Sequence, residues 1–246
     1  MNQKIYIHEF IDVIGQNRAR YMHHMTANWS PIGQRERGQK CFGVWGTVGS
    51  TGRWPEVVNL WEEEGWHGLA ESFAHETGHP GMQDPSLREW WKVAAGLRRG
   101  GVDQILIPAP WSPTIDALCA AGVRGAFYAH ELVRLGPGQA RGFLDEVHAQ
   151  AIDLHAALGL TLVGAFRAAM GNDSKCLLLW AIPTHREWAE LEREAESDSA
   201  LGRWRRHARE TALDWERILL VDAPTSSLRL GRQPSEADRR PLEELP

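Results

Sequence analysis

Short blocks of this sequence recur in the same order. Tyr6-Ile7-His8-Glu9 is answered by Tyr128-Ala129-His130-Glu131, 122 residues later. The apolar run Val57, Val58, Leu60 ending at Trp61 is answered by Leu177-Leu178-Leu179 ending at Trp180, at an offset of 119. Leu87-Arg88-Glu89-Trp90 matches Leu201-Gly202-Arg203-Trp204, and Ile105–Pro110 matches Leu219–Pro224, both at an offset of 114. Ordered matches at nearly constant spacing are the mark of a duplicated structural unit. They predict two small domains, each long enough for its own core, within the 246 residues.

Each half reads β-α-β-β-α-β. In the first, strands are expected at Ile5–Val13, Cys41–Gly49, Glu56–Glu62 and Gln104–Ile107. Tyr21, Met25 and Trp29 recur on one helical face, which predicts a helix over Gln16–Ile32 limited by Pro31. A second helix is expected over Trp66–His75, broken by Gly78, Pro80 and Pro85. A third, capped by Ser86, should run to Arg99 and end at Gly100-Gly101. The second half gives strands at Phe127–Leu135, Leu160–Ala169, Lys175–Ile182 and Arg217–Val221. Its helices are expected over Gln139–Leu158, Thr184–Glu196 and Ala200–Trp215, the second opened by a Thr184/Glu187 capping box. The units are bounded as 1–107 and 126–224, joined by a linker, 108–125, that holds a short helix over Ile115–Ala121. The stretch 225–246 reads as a polar surface arm or as disorder.

This element order is the split βαβ arrangement of ferredoxin-like domains. The strands carry apolar residues at both parities, so both sheet faces need cover. The fold class expected is α+β: two tandem ferredoxin-like repeats whose antiparallel sheets pack into a barrel-like core inside one chain.

The strand-helix opening, the Val57-Val58-Asn59-Leu60-Trp61 run and the strand end before a proline resemble the NIPSNAP family of the dimeric α/β-barrel superfamily. The resemblance covers most of residues 4–224 and implies the tandem ferredoxin-like fold. It fixes no activity. The wider superfamily includes cofactor-free monooxygenases, isomerases, cyclases and haem-handling enzymes, and fold does not determine function.

Composition narrows the classes further. A net charge of -5 argues against nucleic acid, which needs clustered cations. No apolar run reaches membrane-spanning length, and the chain opens directly into strand residues with no leader pattern. Three scattered cysteines, Cys41, Cys119 and Cys176, suit free thiols in a reducing compartment. A cytoplasmic protein is expected, with a small hydrophobic or aromatic ligand as partner and homo-oligomerisation compatible with the fold.

Several groups could carry chemistry. His75-Glu76-Thr77-Gly78-His79 matches the H-E-x-x-H zinc-protease pattern. Pro80 cuts the helix, and Met82 stands where the extended motif needs glycine, so no metal is assigned to it. His8 and Glu9 are neighbours on a strand and must point to opposite faces, one into the barrel and one towards the helices. His23-His24 aligns with Asp145-Glu146 and reads as a partly exposed helix flank. Tryptophan is the compositional outlier, with eight of 12 at or before Trp111. The first half alone carries Trp45, Asn59, Trp61, Trp66, His67, His75 and His79, and Leu178 stands at the counterpart of Asn59.

An aromatic-walled cavity with a few polar groups suits a small planar molecule. The site is therefore expected between the sheet and helices of the first repeat. His8, His67 or His75 would be the acid/base, and Tyr6, Trp45, Asn59, Trp61, Trp66 and the lone strand arginine Arg167 the substrate contacts. No cofactor is required, although a histidine there could instead ligate haem or a metal. A non-catalytic interaction module is the third alternative.

Overall fold

A computed structural model describes residues 1–81 and 84–245; Met82, Gln83 and Pro246 lie outside the described residues. Eight antiparallel strands close a barrel: β1 (Ile5–Val13), β2 (Lys40–Thr47), β3 (Glu56–Glu63), β4 (Arg98–Pro108), β5 (Phe127–Arg134), β6 (Thr161–Ala168), β7 (Lys175–Ile182) and β8 (Asp214–Asp222). The order around the barrel is β1-β3-β2-β8-β5-β7-β6-β4. Within the first half the strands pair as β4-β1-β3-β2, and within the second as β8-β5-β7-β6. Two short ladders, β2 with β8 and β4 with β6, stitch the halves together. Closure removes the free sheet edges that a four-stranded unit would leave.

Strand alternation sorts the side chains. Tyr6 and Phe10 of β1, and Tyr128 and Leu132 of β5, point into the barrel and pack with Phe42, Trp45 and Phe166. The opposite parity faces two outer helical layers. Ile11, Val57 and Trp61 pack under the first, and Ala129, Leu178 and Trp180 under the second.

The helix expected to stop at Pro31 runs on to Arg37. A π-helical stretch, His24–Trp29, precedes the proline, and the Ser30 amide reaches back to the Met25 carbonyl. The proline then occupies the first turn of the following helical segment, where its missing N–H costs nothing. A matching π-helical stretch, Val147–Ala151, lies in the second half. Gly100-Gly101 does not end a helix: the helix stops at Leu97, and both glycines lie inside β4. A Cβ on Gly101 would stand 2.3 Å from the Phe10 carbonyl oxygen, so the close β1–β4 approach needs glycine there. Asp84, not Ser86, caps the preceding turn, its carboxylate accepting from the Ser86 amide. Trp215 belongs to β8, paired with Val133, because the helix ends at Thr211.

The C-terminal stretch is neither loose nor merely superficial. Ser227 and Leu228 are buried, and the Ser227 hydroxyl donates to the Cys41 carbonyl at 2.6 Å. Gln233 brackets the same residue, accepting from the Cys41 amide and donating to its carbonyl. Farther on, the Arg240 amide donates to His23 Nε2 at 3.0 Å. This cover buries the His23-His24 flank, which the sequence leaves partly exposed; His24 also stacks on Trp90 at 4.7 Å. No described helix is long and apolar enough to cross a membrane.

Glu63 links this scaffold to pH. Its side chain is buried and accepts from Gln39 Nε2 at 2.8 Å. Burial pushes its carboxyl up from 4.5 to about 7, against the lowering effect of the Gln39 bond. The folded protein therefore holds this proton more tightly than the unfolded chain. The associated stability is complete below pH 4.5 and is lost as pH rises through about 7. Relative to wild type, Glu63→Gln is expected to gain of order 2–3 kcal/mol across that window. Denaturant melts of both proteins as a function of pH measure the difference.

Candidate functional site

A recess of about 470 Å³ lies between the sheet and helices of the first half. Trp29, Trp61, Trp90, Trp91 and Phe73 supply its aromatic walls, and Glu9, Asp103, Arg98 and Arg37 its charged groups. Ala169 and Met170, from the β6–β7 connection, reach its rim from the second half.

Glu9 is the anchor. It sits on the helix-facing parity of β1, opposite Asn59 of β3 and Asp103 of β4. Asn59 Nδ2 donates to Glu9 Oε2 at 2.7 Å, and Trp61 Nε1 donates to the same oxygen at 2.9 Å. Asn59 is itself held by the Tyr21 hydroxyl at 3.0 Å. Both fixed donors converge on one oxygen, and among the described residues Oε1 has no hydrogen-bond partner. Burial raises the Glu9 carboxyl, opposed by the Trp61 and Asn59 bonds and by the Arg98 charge. Asp103 is likewise raised by burial and lowered by Arg98. A carboxyl whose pKa is raised by burial is a stronger base once ionised, and such groups cluster at sites of proton transfer.

The second half fills the same space. Glu131, the counterpart of Glu9, lies opposite Arg217 of β8. Arg217 donates to Glu131 Oε1 through Nε at 2.9 Å and through Nη2 at 2.6 Å. Trp215 lies beneath it, with the guanidinium groups of Arg205 and Arg217 at 4.1 and 5.0 Å from the ring centre. His155 stacks on Trp180 at 4.1 Å. At the repeat offsets of 114 and 122, Arg217 corresponds to Asp103, Trp215 to Gly101 and His155 to Gly33. Three large side chains are thus replaced by one short acid and two glycines. Of these positions Asp103 alone lines the first-half cavity, where the short acid in place of an arginine leaves space open.

Two of the residues expected at the site meet there, Asn59 and Trp61. The others lie elsewhere. Tyr6 points into the barrel and donates to Glu62 Oε2 at 3.0 Å, and Trp45 packs beside it. His8 also faces the barrel. Its Nε2 lies 2.9 Å from Nε2 of His130, and Gln104 Nε2 donates to its Nδ1 at 3.3 Å. Burial and the neighbouring imidazole push His8 well below its usual range, and burial takes His130 to about 4. Both rings are therefore neutral near pH 7, and the Nε2–H of one donates to Nε2 of the other across the meeting of the halves.

Trp66 and His67 face solvent, because the helix Gly65–Thr77 turns Leu69 and Ser72 inward instead. His75 lies outside the cavity and contacts Asp84 at 3.2 Å. His79 falls beyond the end of that helix, and Glu76 pairs with Arg37 at 3.0 Å, so the zinc-protease geometry does not form. Arg167 is engaged by Asp173 at 3.2 Å. The sequence reading names Glu9 among the groups that could carry chemistry but not among the site residues, and does not name Asp103; both line the cavity. The signal was present at an offset of 114, an acid where the second half has arginine.

No family model and no curated protein sequence matches the chain. Solved structures do. An anthrone oxidase-like protein superposes with a TM-score of 0.62, covering 90% of this chain and 92% of its own at 11% identity. A monooxygenase-like protein of Lactobacillus acidophilus gives 0.60, covering 90% and 95% at 8% identity. A NIPSNAP-like domain protein from Burkholderia xenovorans matches 46% of this chain and 92% of its own, at 20% identity and a TM-score of 0.36. At these identities the likeness is one of fold, a mixed α+β fold with a closed antiparallel eight-stranded barrel.

The barrel mouth holds recesses of its own. Two recesses of about 240 and 320 Å³ share Phe10, Val102, Leu132 and Glu216 at its mouth. They are smaller, and Phe10 is the one aromatic ring they share. The greater stacking surface favours the first-half cavity.

Proposed function

We propose that the first-half cavity binds a planar, polycyclic phenol or ketone and that Glu9 acts on it as a general base. On this reading the chain is a tandem pair of ferredoxin-like units, of which the first keeps a ligand space and the second has closed it. The observation that carries the proposal is the Glu9 carboxyl, buried among aromatic walls, with Oε2 fixed by Asn59 and Trp61 and Oε1 left for a ligand.

The chemistry follows from the groups present. A tricyclic ketone such as anthrone carries an acidic ring methylene, because losing its proton gives an aromatic enolate. Glu9 Oε1 would take that proton, and Arg98, which lines the same cavity, would hold the enolate oxygen. The tryptophan rings supply stacking faces and exclude water. Molecular oxygen would be the co-substrate. It oxidises the methylene to a carbonyl, with one oxygen atom entering the ketone and the other leaving as water. The fold likeness to an anthrone oxidase-like protein and to a monooxygenase-like protein agrees with this reaction class. Among the described residues no histidine lines the cavity, so the haem alternative lacks an axial ligand there.

Incubation with anthrone in air, followed by quinone absorbance, tests the proposal. Glu9→Gln keeps the shape and the hydrogen-bonding oxygen but cannot accept the proton. Turnover is expected to fall at least about 100-fold, the usual share of a positioned base, with ligand affinity held within about threefold. Unchanged turnover in that variant contradicts the assignment.

A further inference from the structure

We infer that His75, His79 and Asp84 form a site for a divalent transition cation, zinc by its choice of ligands. One ligand atom from each lies within 4.8 Å of the others. His75 Nε2 and Asp84 Oδ2 already stand 3.2 Å apart. Ligand atoms on a tetrahedral zinc, bonded at about 2.0–2.2 Å, are separated by about 3.3 Å. That edge is therefore in place, and a small inward movement of His79 completes the triangle.

The chain arranges these ligands without a zinc-protease helix. His75 sits in the last turn of the helix Gly65–Thr77, and His79 follows just past its end. Asp84 comes from the start of the next turn, Pro85–Leu87, with Oδ1 occupied by the Ser86 amide at 2.8 Å. That bond orients the carboxylate and leaves Oδ2 free to ligate, the usual role of an outer contact at a metal site. Two imidazole nitrogens and one carboxylate oxygen suit zinc and leave a fourth position for water. Both histidines are half-buried and Asp84 is buried, so the ligands are held while an entry path remains.

A cation here ties the end of the helix to the start of the following turn. The same helix carries Phe73 and Glu76, which line the cavity, and Glu76 holds Arg37. The metal would clamp one wall of the first-half cavity without touching its ligand. The inference rests on the ligand cluster alone and stands apart from the reaction proposed above.

Calorimetric titration of chelator-stripped protein with Zn2+ tests it. One ion per chain is expected, with affinity at least tenfold weaker in His79→Ala and in Asp84→Asn, which keeps the capping oxygen. His67→Ala, at an exposed position, should leave binding unchanged. Co2+ bound to the same protein should show the visible absorption of tetrahedral coordination, lost in His79→Ala. Absence of saturable binding, or equal affinity in wild type and His79→Ala, overturns the site.

Discussion

Arg217→Ala is expected to destabilise the protein by about 3 kcal/mol, the low end of the cost of breaking a buried ion pair. The pair lies out of water, with side-chain exposures of 6% for Arg217 and 5% for Glu131. Removing the guanidinium strands a buried carboxylate and frees Glu192, which accepts from Arg217 Nη1 at 2.7 Å. Arg205, buried and 3.7 Å from the same Glu131 oxygen, recovers part of the loss, which sets the low end. In a chain of this length the change corresponds to a fall in melting temperature of roughly 6–12 °C. Guanidinium denaturation of the two proteins measures it. A cost below about 1 kcal/mol would mean that Arg217 does not neutralise Glu131. The comparison of the two halves would then lose its basis.

Asp103→Arg asks the reverse question. The register places Asp103 opposite Glu9 as Arg217 is placed opposite Glu131. An arginine at position 103 can lay its guanidinium on Glu9 and fill the space between Trp61 and Trp91. Its charge then meets the Glu9 carboxyl at a position where burial now raises both Glu9 and Asp103. The variant is expected to be at least as stable as wild type and to have lost its ligand space. Asp103→Asn keeps the volume open and should bind as wild type does, within about threefold.

Much of this architecture was legible in the chain. The strands Ile5–Val13 and Lys175–Ile182 coincide with their predicted bounds, because residues of both parities are apolar and glycine, proline or polar turns flank them. The split of His8 and Glu9 to opposite faces followed from strand alternation alone. The boundaries that failed are those where tertiary contacts override local signals. Pro31 stops nothing because a π-turn precedes it, and Gly100-Gly101 serves a close strand contact rather than a helix end. The His23-His24 flank was misread because its cover arrives from residues more than 200 positions away.

The site was half legible for a different reason. The first half alone keeps Asn59 but also His67, His75 and His79, conspicuous side chains of which only Asn59 reaches Glu9. The decisive difference is a loss of bulk. Asp103 is unremarkable alone and becomes informative only beside Arg217. A cavity is made by what is missing, and a pattern search for reactive side chains does not register it. Glu9 is not singled out over His8 because its twin Glu131 shares the motif, and only the partner across the strand separates a neutralised carboxylate from an available one.

The most direct test is a fluorescence titration of wild type and Asp103→Arg with a polycyclic phenol, read through the quenching of the cavity tryptophans. Saturable quenching is expected in wild type, with affinity at least about 100-fold weaker in Asp103→Arg, a difference of about 2.7 kcal/mol. Equal affinity in the two proteins would place the ligand elsewhere and contradict the claim that the first-half cavity is the binding site.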